Sequence, residues 1–339
     1  PQQYPPPMSE KAKEEEKQIL EDYGIKLPLR TDNRISLHQL HDRLSQDTPV
    51  QGEDLRHLDL GDLDFKKADF SESILLRVNL GKTNLSQAKL VGANLAETNL
   101  SDANLQMADL TNADLTGANL TGADLSGAIL NDTLLEGADL TNAVLRNING
   151  VGADFSKAVL NGAVFDDAIL CQAEFTRGHL ENTCFRGADL SEASMRGVKG
   201  CNVNMDLANL TEIRASDGCR LTKSSFQQII GPESIWTQAE LDQSDFSHAD
   251  LKGADFSSAQ LKGTHFHSAV CRGARFTKAC MDQTNLVYSD LFEAVLEKAI
   301  LKSTDFRNAN LFGAEFLDAE IDQAQFYGAN LKRTKLEQK

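Results

Sequence analysis

The 339-residue sequence has no apolar run of the roughly 18 residues that a membrane-spanning helix requires, which predicts that no helix crosses a membrane. It also has no recognisable secretory signal peptide. Aromatic residues make up only 6% of the chain, and most of them are Phe. That composition is typical of a narrow core lined by Ala, Leu and Phe. Because the chain begins with Pro1 rather than Met, we expect a fragment or a processed form of a longer protein.

Motifs for catalysis and for metal binding are missing as well. The six cysteines form no CxxC pair, and scattered thiols in a large domain predict a reducing compartment. No nucleophile elbow, phosphate-binding loop, dinucleotide-binding glycine pattern or HExxH motif occurs. Three of the seven histidines, His248, His265 and His267, are expected on one outer face, where solvated surface is favoured over a weak metal site. We therefore predict a protein that is not an enzyme and binds no metal or cofactor.

Positive charge is in short supply. The 34 Lys and Arg residues stand against 50 Asp and Glu residues, and the formal net charge is −16. Because contacts with phosphates need clusters of Lys and Arg, this balance argues against direct binding of nucleic acid or anionic lipid. A basic protein partner and mimicry of nucleic acid both stay open.

What the sequence has instead is a repeat of five residues, and a repeat has to be found before local patterns are interpreted. In each unit a small residue is followed by Asp or Asn, then by Leu or Phe, and then by two polar residues. The pattern keeps one phase from Leu55 to about Ala215 and resumes, one residue out of phase, from Leu241 to Leu336. Consecutive units read Ala103-Asn104-Leu105, Ala108-Asp109-Leu110, Ala113-Asp114-Leu115, Ala118-Asn119-Leu120 and Ala123-Asp124-Leu125.

A period of five fits neither a helix nor a single strand, but it fits a chain that turns a corner every five residues. Four corners close a square coil of twenty residues. The Leu or Phe at the centre of each unit and the small residue two positions earlier then point inward. Stacked coils pair as parallel β-structure, so about thirteen coils would form a rod of roughly 60 Å. The predicted fold is an all-β solenoid, a quadrilateral parallel β-helix.

This pattern resembles the pentapeptide-repeat family, whose consensus is A-(D/N)-L-x-x, from about residue 53 to the end. The resemblance implies a right-handed β-helix that binds other macromolecules and catalyses nothing. The run Ala309-Asn310-Leu311-Phe312-Gly313-Ala314-Glu315-Phe316, with Ala329-Asn330-Leu331-Lys332-Arg333-Thr334, also looks like the C-terminal repeats of bacterial type VI secretion accessory proteins. It implies a bacterial cytoplasmic adaptor, or a secreted effector. The alternative is similarity to quinolone-resistance proteins that protect gyrase by mimicking DNA.

Residues twenty positions apart support the predicted coil, because each set should stack in one column. Two Phe columns on opposite faces are expected, and the missing centre side chains at Gly150 and Gly200 are matched by the enlarged Ile148 and Val198, which conserves core volume. Inward hydroxyls and an outward Asn ladder are expected too. The columns are Phe246, Phe266, Phe306 and Phe326 (with Leu286 between), Phe256, Phe276 and Phe316, Ser244, Thr264, Thr284 and Thr304, and Asn79, Asn99 and Asn119.

Five segments are predicted along the chain. Residues 1–8 form a Pro-rich linker, and 9–50 form a helical N-terminal cap with helices starting after Ser9 and after Ser36. Two repeat blocks cover 51–215 and 241–339. Between them, 216–240 is predicted as an interruption with a short helix over Thr222–Ile230 and a loop. A coil continued after a one-residue bulge, with Leu221, Phe226 and Trp236 in the later phase, is the alternative.

Outward apolar residues near the C-terminus are not required by this fold. Exposed apolar patches that are rich in Tyr and Phe usually mark interfaces. We therefore predict a protein partner or a second copy at this surface. A homodimer through the uncapped C-terminal end is a further expectation. The candidate partner-binding residues are Val287, Tyr288, Phe292, Phe312, Leu317 and Tyr327.

Overall fold

The computed structural model describes residues 35–46, 48 and 50–338. The chain divides into two units, Pro1–Ile35 and Ser36–Lys339, and only Ile35 of the first unit is described. The predicted linker over 1–8 and the predicted helix after Ser9 therefore lie outside the described residues.

A single α-helix in the described part, α1 (Leu37–Ser45), precedes the repeats. Ser36 caps its N-terminus, as the sequence predicted. The Ser36 hydroxyl accepts a hydrogen bond from the Gln39 N–H (3.2 Å), and the Gln39 side chain accepts one from the Ser36 N–H (2.7 Å). This reciprocal arrangement satisfies two N–H groups that a helix leaves without internal partners.

An ion pair joins helix α1 to the first coil. Leu40 is fully buried, whereas Leu37 is 43% exposed. A guanidinium nitrogen of Arg43 lies 2.7 Å from a carboxylate oxygen of Glu53. The role of this region as a cap over the solenoid core stays a prediction.

The repeats form a continuous stack of parallel coils. Four three-residue strands occur: β1 (Lys199–Cys201) pairs with β2 (Arg220–Thr222), and β3 (Ile300–Lys302) pairs with β4 (Glu320–Asp322), both in parallel. Elsewhere each side of a coil contributes a single bridging residue, and these parallel bridges run from Asp54 to Asn330. The short 3-10 helix Lys335–Gln338 follows. Among the described residues, no helix combines the length and apolar character needed to cross a membrane.

The composition of the five-residue unit follows from the corner it has to make. In the unit that contains Asp69, one Oδ1 atom accepts hydrogen bonds from the N–H (3.1 Å) and the hydroxyl (2.7 Å) of Ser71. This Asx-type turn explains why Asp or Asn precedes the central Leu or Phe. The second corner residue adopts a positive φ, as Glu72 does at 59°. Gly, Asn and other polar residues tolerate that conformation better than β-branched residues do.

The predicted inward columns are confirmed. Phe246 and Phe266 stack with ring centroids 5.1 Å apart and planes 9° apart, and Phe256 stacks on Phe276 at 5.3 Å. Rings of the two columns meet edge to face across the core, as Phe246 and Phe256 do at 5.8 Å. Both geometries suit the quadrupole of an aromatic ring. Ring stacking thus fixes the relative position of successive coils.

The two polar columns are confirmed as well. The buried Thr264 hydroxyl donates to the carbonyl oxygen of Leu241 in the preceding coil (3.0 Å), and Thr284 donates to Leu261 (2.8 Å). On the outside, the Asn99 amide donates to the Asn79 side-chain oxygen (2.8 Å). These bonds join neighbouring coils in addition to the backbone ladder.

The predicted helix and loop over 216–240 are corrected by the structure, in which the coil continues. Ser225 bridges to Asn204 above and Asp245 below, and Phe226 stacks on Phe246 at 4.4 Å. The helical spacing of Phe226, Ile229 and Ile230 has another cause. The centre of the unit that contains Ile229 is Gly231, and the Ile229 side chain fills the core space that this glycine leaves. Ile148 and Gly150 show the same exchange of side-chain volume. Ile230 points outward and is 55% exposed.

The change of phase comes from one extra residue at a single corner. Ser194 pairs with Arg214, twenty residues on, but Lys199 pairs with Arg220, twenty-one residues on. The surplus lies in the corner Ser216–Gly218. Its backbone turns through two consecutive left-handed residues, Asp217 (φ 55°) and Gly218 (φ 77°).

The last described coil is less buried than the coils before it. Ile321 occupies a central position yet is 38% exposed, whereas Leu301, one coil earlier, is fully buried. The homodimer expected through this end stays a prediction.

Candidate partner-binding surface

Phe292 and Phe312 lie at the same corner of successive coils. Each follows a buried Leu, namely Leu291 and Leu311, and takes the first of the two outward corner positions. Their ring centroids are 5.5 Å apart and their planes differ by 1°. The two rings therefore form an outer stack, as the twenty-residue spacing predicted.

Two arginines extend this stack at both ends. The Arg272 guanidinium carbon lies 4.7 Å from the Phe292 ring centroid, and that of Arg333 lies 5.4 Å from the Phe312 centroid. Such cation–π contacts are favourable even at exposed positions. We call Arg272, Phe292, Phe312 and Arg333 the aromatic column. Its ring faces are covered by the neighbours in the stack, so the ring edges are left to face solvent.

Asp290 helps to fix the aromatic column. Its Oδ1 atom accepts hydrogen bonds from the Phe292 N–H (3.2 Å) and from the Asn310 amide (2.8 Å). Its second oxygen lies 3.6 Å from the Arg272 Nε atom. The column is thus a supported surface, in which one carboxylate holds both a ring-bearing residue and its cation.

Val287, Tyr288 and Tyr327 lie at the preceding corner, on the other edge of the same side of the rod; we call them the tyrosine edge. Tyr327 is 84% exposed and Tyr288 is 58% exposed, while Val287 is half-buried. Arg307 lies between Val287 and Tyr327 in the corner column, and its Nε and Nη2 atoms donate to the Asp305 carboxylate at 2.9 and 2.7 Å. These residues and the aromatic column flank one side of the coil.

Leu317 does not join this surface. It is 48% exposed but follows Phe316, so it lies at the next corner, beyond the aromatic column. Arg272 and Arg333 were not predicted as part of the surface. The signal was available for Arg272, because it precedes Phe292 by the twenty residues that place two side chains in one column.

Two of the three histidines expected on one outer face form ring contacts. His248 and His267 meet edge to face at 5.7 Å, and His267 meets Tyr288 in the same way at 5.8 Å. No group of His, Cys, Asp and Glu with metal-binding geometry occurs among the residues that the structure describes. The ring contacts instead continue the tyrosine edge toward earlier coils.

Comparison with known proteins assigns the chain to a family. The model for pentapeptide repeats matches eight stretches: residues 54–87, 79–117, 118–149, 151–187, 180–214, 237–267, 254–287 and 289–326. The chain belongs to the pentapeptide-repeat family. Members of this family fold as right-handed quadrilateral β-helices, in agreement with the parallel coils described above.

Several solved structures of pentapeptide-repeat proteins are similar to the chain. HetL, involved in heterocyst differentiation regulation in the cyanobacterium Nostoc sp. strain PCC 7120, is 27% identical; the match covers 88% of this chain and 98% of HetL, with a TM-score of 0.25. A thylakoid-lumen protein of Arabidopsis thaliana is 35% identical over 29% of this chain and 69% of its own, with a TM-score of 0.29. QnrB1, a plasmid-mediated fluoroquinolone resistance protein, is 16% identical over 60% of this chain and 90% of its own, with a TM-score of 0.22. No curated protein matches the chain.

Proposed function

We propose that this protein is a non-catalytic protein-binding scaffold or adaptor, and that its partner binds the aromatic column and the tyrosine edge. The observation that carries this proposal is the outward position of Phe292 and Phe312. The fold needs apolar side chains only at the inward positions of each unit, and the corners elsewhere carry mainly polar residues. Large apolar groups held in a fixed stack at a corner are typical of interfaces.

The chemistry of this surface specifies the partner. Lys332 follows Phe312 in the corner column, and Arg272 and Arg333 cover the ring faces, so basic groups border the apolar ones. The complementary surface carries apolar side chains beside carboxylates. Arg and aromatic residues together are also the residue types that dominate binding energy at protein interfaces.

The test compares two double variants. In Phe292→Ser/Phe312→Ser both rings are lost from the surface, whereas Met107→Ser/Leu207→Ser removes apolar groups that are 62% and 46% exposed at corner positions far from it. The partner recovered with the wild-type protein from its source cells is purified, and its affinity for each variant is measured. We expect affinity to fall at least about tenfold in the Phe variant and to stay unchanged in the control.

Circular dichroism and sedimentation complete this experiment. Both variants should keep the wild-type spectrum, because none of the four residues lies in the core. Equal affinities of the wild-type and Phe variants for the purified partner would refute the proposed surface. A wild-type dimer that the Phe variant converts to monomer would identify a second copy as the occupant instead. A dimer that persists in the Phe variant would favour the C-terminal end as the dimer contact.

Protection of gyrase by DNA mimicry is the second candidate, favoured by the net charge of −16. A mimic needs regular rows of negative charge, but here basic residues interrupt the acidic columns. Arg77 pairs with Glu97 at 2.8 Å, and Arg146 lies 3.4 Å from Asp166, each across one coil. A gyrase supercoiling assay distinguishes the two functions, and we expect neither protection nor inhibition at micromolar concentrations of the protein.

A finer proposal follows from the resemblance of residues 309–334 to type VI secretion accessory proteins. In that case the scaffold acts in the bacterial cytoplasm beside the secretion apparatus, or is itself delivered as an effector. Affinity capture with antibodies against the apparatus, in cells with and without it, tests this assignment. Recovery of the protein in equal amounts from cells with and without the apparatus would exclude the type VI assignment.

A further inference from the structure

A second candidate site lies on another side of the rod, beside the extra residue at Ser216–Gly218. A pocket of about 350 Å³ extends there over three successive coils. Its volume lies at the lower end of the range for pockets that bind small molecules. The side chains that matter for its chemistry are Arg177, Arg196, Arg214, Thr176, Ser194 and Asp217.

The extra residue interrupts the backbone ladder at the pocket. At a regular corner the N–H of the second corner residue donates to the next coil, as the Gly197 N–H does to the Ser216 carbonyl at 2.9 Å. At the enlarged corner neither Asp217 nor Gly218 donates a backbone hydrogen bond to any described residue, and the carbonyl of Thr237 accepts none. Backbone N–H groups left free beside left-handed residues are suited to anions.

A missing side chain forms the floor of the pocket. Gly197 lies between Arg177 and Asp217 in the corner column, and a Cβ atom there would lie 3.4 Å from the Arg177 Cγ atom and 3.5 Å from the Asp217 carbonyl oxygen. Beside it, the hydroxyls of Thr176 and Ser194 lie 3.1 Å apart. The floor therefore has two hydroxyl groups beside a gap that is as wide as one side chain.

The charges of the pocket are unevenly paired. Arg196 is held by Asp217, with Nε and Oδ2 2.8 Å apart. Arg177 and Arg214 are both exposed, and neither has a carboxylate within 4 Å among the residues that the structure describes. Two guanidinium groups are thus left to bind an anion, in a chain that is otherwise strongly acidic.

Two carboxylates complete the lining. A Glu174 oxygen accepts a hydrogen bond from the Thr176 hydroxyl (3.1 Å), and a Glu192 oxygen accepts one from the Gln172 amide (3.1 Å). Both acidic groups keep further acceptor positions. They exclude a large polyanion by repulsion, but they accept hydrogen bonds from hydroxyl or amino groups of a compact ligand.

We propose that this pocket binds a phosphate monoester whose remaining part carries hydroxyl or amino groups. Arg177 and Arg214 hold the phosphate oxygens, because guanidinium groups match them in charge and in bidentate geometry. The Thr176 proton is used by Glu174, so the Ser194 hydroxyl turns from Thr176 and donates to the same phosphate. Glu174 and Glu192 orient the rest of the ligand. The phosphate comes either from a small molecule or from a phosphorylated residue of a peptide.

Binding is measured by titration calorimetry with three probes: inorganic phosphate, ribose 5-phosphate and a short phosphoserine peptide. The variant Arg177→Gln/Arg214→Gln removes the two unpaired cations. Its control, Arg146→Gln/Arg186→Gln, removes the same charge from the diagonally opposite corner. Gly197→Asn fills the floor with a residue that tolerates a positive φ.

We expect saturable binding of ribose 5-phosphate or of the peptide, and whichever binds tighter identifies the source of the phosphate. Affinity should fall at least about tenfold in Arg177→Gln/Arg214→Gln and in Gly197→Asn, and stay within twofold in the control. No saturable binding of any probe up to about 10 mM would overturn the proposal. An equal loss in both arginine variants would also overturn it, because binding would then reflect diffuse charge.

Discussion

The side chain of Ile148 takes up the space that Gly150 leaves in the core. A Cβ atom on Gly150 would lie 3.6 Å from the Ile148 Cδ1 atom and 3.2 Å from the Leu170 Cδ2 atom. Ile148 is fully buried at a position that usually holds Ala. The two residues therefore act as one packing unit, although neither fits the consensus by itself.

The first prediction concerns this pair. Ile148→Ala alone should lower the free energy of unfolding by about 2–5 kcal/mol, because it leaves a cavity. Gly150→Leu alone should cost about 1–3 kcal/mol by overpacking. The double variant restores the consensus, so its cost should be well below the sum. Urea denaturation of the three variants measures this coupling, and additive costs would show that the two residues pack independently.

The second prediction concerns the buried hydroxyl column. Thr264→Val removes the bond to the Leu241 carbonyl, which keeps its other bond from the Ser244 N–H (3.1 Å). We expect a loss of about 0.5–1.5 kcal/mol in the free energy of unfolding. Thr277→Val is the control, since the buried Thr277 Oγ1 atom has no hydrogen-bond partner in the described part of the chain. An equal cost of both substitutions would contradict the importance of this column.

The third prediction concerns stability in acid. Partial burial alone would raise the pKa of Asp124, but hydrogen bonds from the Ser126 hydroxyl and N–H and from the Gln106 amide lower the pKa below its ordinary value. The pKa of Asp189 is lowered in the same way by Ser191. A lowered folded-state pKa stabilises the fold above the unfolded-state value of about 3.9, and this stabilisation is lost as the pH falls through the folded-state pKa.

Substitution of these aspartates by Asn removes the pH dependence of their contribution to stability. It keeps the corner hydrogen bond, because Asn79 accepts the same bond from the Gly81 N–H. Between pH 7 and pH 3, the urea midpoint of Asp124→Asn/Asp189→Asn should therefore fall less than that of the wild-type protein. The control Asp132→Asn/Asp167→Asn removes two charges at second corner positions. If both variants fell equally, the effect would come from net charge alone.

The fourth prediction concerns the thiols. Burial raises the pKa of Cys219 to about 12, and burial together with the bond to Asp166 raises the pKa of Cys184 to about 11. The half-buried Cys201 has a raised pKa because its thiol donates to a Glu181 oxygen at 2.7 Å. Since only the thiolate is alkylated, all three should react slowly with iodoacetamide at pH 7.5.

Glu181→Gln should speed alkylation at Cys201 and leave the rates at Cys184 and Cys219 unchanged. Mass spectrometry of the labelled peptides measures each rate. Labelling in urea supplies the reference in which all thiols are accessible. An unchanged rate at Cys201 would mean that Glu181 does not control its ionisation.

Most of the fold was predictable because the repeat is strictly periodic. Positions twenty apart had to stack once the coil was closed, so the Phe columns, the inward hydroxyls and the Asn ladder followed from the sequence. The helix and loop favoured for 216–240 were wrong because Ile229 and Ile230 imitate a helical face, and the alternative of a coil continued after a one-residue bulge is confirmed. Gly231 and Ile229 exchange core volume in the same way as Gly150 and Ile148. Recognising that exchange would have corrected the predicted helix.

The candidate surface was predictable only in part. Spacing predicted that Phe292 and Phe312 stack, but the position of Leu317 beyond the next corner depends on how the chain folds around each corner. The pocket beside Ser216–Gly218 had no sequence signal, because Arg177, Arg196 and Arg214 are ordinary outward residues until one extra residue enlarges the corner between their coils.

The sequence by itself determined the coil, its register within each repeat block and the core of those blocks, because a five-residue period allows only one inward set of side chains. The tertiary structure decided which outward side chains meet. Those contacts depend on corner geometry, on side-chain stacking between coils and on the one residue that changes the register. Phe292, which was expected to stack only on Phe312, is for that reason part of a column that begins and ends with arginine.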